Sequence, residues 1–285
     1  QETRSSEALK AALSAEGFSI ESGVADIPTA FVASYGSGEP VIAVMGEFDA
    51  LPGISQAAVP FEQKIEGKNS AQACGHHLFG AGSAGAAIAV KEWLERTGTP
   101  GTIQFFGTPA EEGGSGKVYM VRAGLFDDVD TVIHWHPSSV NAADSASTLA
   151  NRSAKFTFSG VSSHAASAPD RGRSALDAVE AMNFMVNLLR EHVPTSTRLH
   201  YVITNGGSAP NVVPNTAQSF YYVRHPNETT LREIWDRVMA TAEAAAVGTG
   251  TSMSYEIIHG NYSVLPNDTL AKVMHAKLSS VGGVE

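Results

Sequence analysis

Apolar and polar positions alternate in blocks along the first half of the chain. Leu9 and Leu13, four apart within Ser6 to Glu16, predict a helix that Gly17 stops. Ala30 to Ser34 reads as a strand. The apolar run Pro40-Val41-Ile42-Ala43-Val44-Met45 has the character of a buried strand and ends at Gly46-Glu47-Phe48-Asp49. Leu78 to Thr97, rich in Ala and Gly, predicts a helix, Thr102 to Phe106 a strand, Gly116 to Ala123 a helix and Val129 to Trp135 a strand. Alternating strands and helices imply a doubly wound α/β layer, whose sites lie at the carboxyl ends of strands.

After about residue 150 the rhythm changes. Ala154 to Ser159 alternates as a strand does, and Ser174 to Glu191 has apolar residues at helical spacing. Arg198 to Thr204 and Gln218 to Arg224 read as strands, Glu228 to Ala246 as a helix and Ser252 to Ile258 as a last strand. The order β-α-β-β-α-β is that of the split βαβ, or ferredoxin-like, unit. It predicts a small domain over residues 151–262, inserted into a larger one made of residues 1–150 and 263–285. Thr269 to Leu278 is expected to begin a helix returning to the larger domain.

Bulk properties narrow the function. A formal net charge of −10 with no basic run argues against nucleic acid or an anionic membrane as partner. No apolar stretch reaches the roughly 20 residues that span a bilayer. A single cysteine excludes an internal disulfide and points to a reducing compartment, hence a cytoplasmic location.

Three short segments carry metal-binding chemistry, because thiolate, imidazole and carboxylate are the side chains that hold divalent transition ions. They are Ala73-Cys74-Gly75-His76-His77, Pro109-Ala110-Glu111-Glu112-Gly113-Gly114 and His134-Trp135-His136-Pro137. Cys74 and His76, one residue apart, can reach one ion; taken alone, a buried structural Cys beside a surface His explains them better. Glu111 and Glu112 are adjacent and point different ways, so one can ligate while the other serves as general base; a solvated acidic turn is the alternative. His134 and His136 are expected to share a strand face, with His136 at the strand end. Asp49 can orient a ligating imidazole or simply form a turn before Pro52. Convergence of the three clusters favours a metal-dependent hydrolase. Gly80-Ala81-Gly82-Ser83-Ala84-Gly85 matches G-x-G-x-x-G but follows no strand, and is read as close helix packing. The chain has no G-x-S-x-G elbow and no Walker lysine motif. Further on, His164, Asn211 and Arg224 are polar points near strand ends, suited to a carboxylate or an oxyanion and equally to ordinary loops.

Cys74-Gly75-His76, Pro109 to Gly114 and Trp135-His136-Pro137 together resemble the metal-dependent aminoacylase and carboxypeptidase family. Gly46 to Gly53 and the run from Gly107 to Lys117 look most like its p-aminobenzoyl-glutamate branch, beside the indole-acetyl-amino-acid hydrolases. The resemblance implies an α/β fold: a three-layer catalytic domain with a mixed, mainly parallel sheet, plus an inserted ferredoxin-like α+β lid that mediates homodimerisation. It implies two divalent metal ions (zinc or manganese, with cobalt also suited), with Cys74, His76, Glu112 and His136 as ligands. Glu111 would be the general base and Asp49 the supporting carboxylate near the metals. His164, Asn211 and Arg224 would reach the substrate, a small amide with a free carboxylate. Two departures stand out. His77 sits where the branch has Asp or Asn. The family's last ligating His belongs to a segment beyond the lid, where His275 is a poor substitute. The expectation is therefore either a longer natural chain with the hydrolase activity or a degenerate, non-catalytic binding member; a dipeptidase of the same family is a further alternative.

Overall fold

The computed structural model describes residues 2–143 and 145–283. They form two compact units, Gln1–Asn141 and Ala142–Glu285.

In the first unit, α1 (Thr3–Ala15) leads into β1 (Ser19–Ser22), β2 (Phe31–Ser37) and β3 (Val41–Gly46). A two-strand ribbon of β4 (Leu51–Pro52) and β5 (Ser70–Ala71) precedes α2 (His76–Thr97). Then come β6 (Gly101–Gly107), the single turn α3 (Glu111–Gly114), α4 (Gly116–Arg122) and β7 (Thr131–Ile133). The main sheet has the order β1-β2-β6-β3-β7 and is mixed: β3 runs parallel to both β6 and β7, while β1 and β2 pair antiparallel. Alternation along the strands sends side chains to both faces. Phe31, Ala33, Val44, Ile103 and Phe105 meet Leu13 of α1 and Ala84 and Ala87 of α2. Val32, Ala43 and Phe106 meet Met120 of α4 on the other side. Helices thus cover both faces, giving three layers.

Small residues along α2 let it lie close to the sheet, as their spacing predicts. A Cβ on Gly80 would stand 2.8 Å from the Glu47 carbonyl oxygen, and one on Gly82 would stand 2.8 Å from the Trp135 ring. The register pairs Gly46 with Gly107 and Val44 with Ile133, so β3, β6 and β7 deliver their carboxyl ends side by side.

The structure corrects one expectation about these ends. β7 stops at Ile133 rather than running to Trp135, so His134 and His136 follow the strand instead of sharing its face. β7 is paired on one side only. Beyond it the chain turns so that His134, Trp135 and His136 all pack edgewise around the buried Phe79 of α2. His76, moreover, is the first residue of α2 rather than part of a loop before it.

The second unit contains β8 (Ala150–Ser159), α5 (Ala175–Leu189), β9 (Arg198–Asn205), β10 (Thr216–His225), α6 (Glu228–Thr249), β11 (Ser252–Asn261) and α7 (Asp268–Ser280). Its antiparallel sheet, ordered β11-β8-β10-β9, has the ferredoxin-like topology that the element order predicts. Phe156, Phe158, Tyr221 and Val223 form its core with Val179, Met182, Trp235 and Val238 of the two helices. Ser174 and Asn227 cap α5 and α6 by accepting from the backbone N–H of Asp177 and Thr230. In this chain α7 groups with the second unit, and Ser145 Oγ donates to its Asp268 at 2.7 Å.

Candidate metal centre

Six candidate donors gather where β3, β6 and β7 end and α2 begins. The ring of His76 is fully buried. Its Nδ1 lies 2.9 Å from Asp49 Oδ1, and the other Asp49 oxygen accepts the backbone N–H of Glu112 at 2.9 Å. Asp49 accepts on both sides, so His76 donates from Nδ1 and turns the Nε2 lone pair inward. That nitrogen lies 3.0 Å from Glu47 Oε2, 3.9 Å from Glu112 Oε1 and 4.0 Å from Glu111 Oε2. His136 is oriented in the same way. Its Nδ1 donates to the Pro137 carbonyl at 2.9 Å, which leaves Nε2 facing Cys74 Sγ at 3.5 Å.

Local backbone geometry brings these groups together. Gly75 has φ +81°, and a Cβ there would stand 2.9 Å from Pro137, so the Cys74 loop and the His136 loop touch through a glycine. Ala110 and Ser115, both at positive φ, bracket the turn that presents Glu111 and Glu112. The Ala110 N–H donates to Glu2 Oε2 at 3.1 Å, which helps hold that turn.

The electrostatics are those of an anionic site. Burial and then the charge of Glu47 raise the Glu111 carboxyl above the ordinary range, with Lys117 acting in the opposite direction. Burial, followed by the charges of Glu112 and Glu111, pushes the Cys74 thiol up to about 11. Glu47 Oε2, His76 Nε2 and Glu112 Oε1 are buried and have no hydrogen-bond partner among the described residues. Unpaired acceptors converging in a buried spot are costly unless positive charge lies between them. Two overlapping groups place their ligand atoms within 4.8 Å of one another: Cys74, His76 and His136, and Glu47, His76 and Glu111. This mixture of sulfur, nitrogen and oxygen suits borderline divalent ions, so the residues fit the metals that the resemblance implies.

Cys74, His76, Glu111, Glu112, His136 and Asp49 therefore come together as expected from the sequence. Glu47 and Lys117 are not singled out by sequence reasoning. Glu47 lies two residues before Asp49, just past a strand, a spacing that turns both side chains the same way and could have revealed it. His77 is exposed, with its backbone N–H donating to Gln72. His275 is exposed on α7.

In the second unit, His164 and Asn211 lie together: His164 forms a bridge with Val212, and the Ala165 N–H donates to the Asn211 carbonyl at 3.0 Å. His164 Nδ1 accepts the N–H groups of Ala166 and Ser167, so the neutral ring carries its proton on Nε2 as a donor. Arg224 stands apart from this pair. His164 and Asn211 flank the Thr216 end of β10, and eight residues of strand, roughly 27 Å, separate that end from Arg224. The Arg224 guanidinium sits over the Tyr222 ring, 5.2 Å from its centroid.

A three-layer α/β unit with a thiol–imidazole–carboxylate cluster at its strand ends, joined to a ferredoxin-like unit, defines a metallohydrolase type of chain. The profile described as Peptidase family M20/M25/M40 matches residues 43–285, and the chain belongs to that family. It is 46% identical over 287 residues to a subunit of the p-aminobenzoyl-glutamate hydrolase of Escherichia coli (strain K12), covering 100% of this chain and 60% of that protein. It is 33% identical over 254 residues to Xaa-Arg dipeptidase of Mus musculus, covering 86% of this chain and 55% of the relative. The chain thus spans little more than half the length of these curated relatives. Among solved structures, the aminobenzoyl-glutamate utilization protein from Klebsiella pneumoniae shares the fold with a TM-score of 0.73 at 21% identity, over 100% of this chain and 77% of that one. No helix among the described residues is long and apolar enough to cross a membrane.

Proposed function

We propose that this chain is the metal-binding part of an amidohydrolase that cleaves an N-acyl or N-aroyl amino acid of the p-aminobenzoyl-glutamate type. The observation that carries the reading is the convergence of Glu47 Oε2, His76 Nε2 and Glu112 Oε1, all buried and unpartnered, beside Cys74 and His136. Cys74, His76, Glu112 and His136 would hold two divalent ions, of zinc, manganese or cobalt. When bound, such ions polarise an amide carbonyl and lower the pKa of the attacking water towards ~7. Glu111 is the general base: half-exposed beside the buried donors, it takes the water's proton and delivers it to the leaving nitrogen. Its raised carboxyl pKa brings its basicity nearer to the operating pH. Asp49 holds the His76 tautomer. His164, a donor at Nε2, and Asn211 serve the substrate's carboxylate or the developing oxyanion. Arg224, at the other end of its strand, takes a separate anionic contact.

At the level of the whole protein, residues 151–262 act as the lid and homodimerisation domain. Residues 1–150 with 263–285 belong to the catalytic domain, and the enzyme works in the cytoplasm. The relative named as a dipeptidase supports a second reading, with amino acids on both sides of the amide. The test is turnover of metal-loaded protein on p-aminobenzoyl-glutamate, an indole-acetyl amino acid and Xaa-Arg dipeptides. Glu111→Gln is expected to keep its metal and to lose about 10²–10⁴-fold in rate. Near-normal activity in that variant removes Glu111 from the mechanism. Preference for dipeptides selects the second reading, and no turnover on any substrate favours a non-catalytic binding role.

A further inference from the structure

We infer that Glu47 is a further metal donor in this centre and that Lys117 is the residue that positions it. The inference rests on the metallohydrolase reading above and extends it. Glu47 is 4% exposed, just past the end of β3. Its two oxygens have different surroundings. Oε1 is paired with the Lys117 ammonium from α4, which fixes the carboxylate plane. Oε2 points the other way, has no hydrogen-bond partner and lies 3.0 Å from His76 Nε2. That nitrogen is itself an acceptor, because its ring donates from Nδ1 to Asp49. Two acceptors face to face at this distance need either a shared proton or a cation between them.

A carboxylate kept only for the ion pair with Lys117 has no reason to aim its free oxygen at the one fully buried imidazole of the site. Glu47 also groups with His76 and Glu111 within ligand-to-ligand distance, separately from the group of Cys74, His76 and His136. The geometry therefore gives the centre two lobes that meet at His76, whose single free Nε2 lone pair serves one ion: a sulfur–nitrogen lobe, and an oxygen-rich lobe that Glu47 anchors. Lys117 compensates charge and orients the carboxylate, as partners behind a ligand do.

The test is cobalt(II) titration of the full chain, read by the number of ions bound, by affinity and by the visible ligand-field bands, none of which depends on turnover. Wild type is expected to bind cobalt with a thiolate-to-cobalt charge-transfer band from Cys74. Glu47→Gln preserves shape and can still accept from Lys117. It is expected to lose one ion per chain, or at least about 100-fold in affinity for it, and to change the ligand-field bands while the thiolate band persists. Lys117→Met is expected to weaken the same ion by about 10-fold with the bands retained. Circular dichroism melting identifies any variant that fails to fold, and Glu47→Asp, which keeps the charge on a shorter arm, then gives the comparison. If wild type binds cobalt and both Glu47 variants match it in stoichiometry, affinity and bands, the proton-sharing alternative holds and the inference falls alone. If wild type binds no cobalt, the metallohydrolase reading falls with it.

Discussion

Cys74 enters metal binding as a thiol. Its pKa of about 11 lies well above neutrality because the side chain is partly desolvated beside Glu112 and Glu111. A metal takes the thiolate, so binding must release that proton. Below about pH 11 the apparent metal affinity should therefore rise with pH, by about tenfold per unit from this group alone. Calorimetric titration in two buffers of different ionisation heat should show about one more proton released by wild type than by Cys74→Ser. Equal release from the two proteins would mean that Cys74 stays protonated and is no ligand. Most of this centre is legible from residue types, because Cys, His and Glu at the ends of apolar runs have few joint explanations. Glu47 and Lys117 are harder to see. Each has ordinary chemistry at its own position, and only the fold joins them across 70 positions of chain.

At the scale of elements, the critical join is Gly75 against Pro137. The backbone at Gly75 is left-handed, and the space where a Cβ would sit is already filled by the proline ring. Gly75→Ala meets both penalties, together of order 1–3 kcal/mol. The Cys74 and His136 loops should then separate, weakening cobalt binding and lowering the melting temperature together. A variant that melts earlier but binds cobalt like wild type would show that the loops are held by other contacts. Apolar periodicity reveals the long elements well, since each buries a continuous face. It does not reveal the short ones. β4 and β5 are two residues each and carry no period, and β1 is largely exposed. The end of β7 is masked in the sequence because His134, Trp135 and His136 continue its apolar pattern for a different purpose, packing on Phe79.

Among the described residues each unit buries its own core. Every residue of the cluster around Phe156 belongs to the second unit, and both clusters that line the metal-bearing sheet belong to the first. The rhythm of the sequence changes near residue 150, because a doubly wound layer and a split βαβ unit bury their apolar faces against different partners, whereas the units divide after Asn141 and α7 groups with the second. If the cores are also energetically separate, damage to one should stay local. Phe156 is fully buried and packs on Tyr221 and Trp235. Phe156→Ala should cost the second unit about 3–5 kcal/mol. Scanning calorimetry should then show one transition moved to lower temperature and one unchanged. Cobalt binding below the first transition should keep its wild-type stoichiometry, since all five proposed donors lie before residue 142. A single transition that shifts as a whole, with cobalt binding lost alongside it, would instead show that the metal-bearing unit depends on its neighbour for its fold.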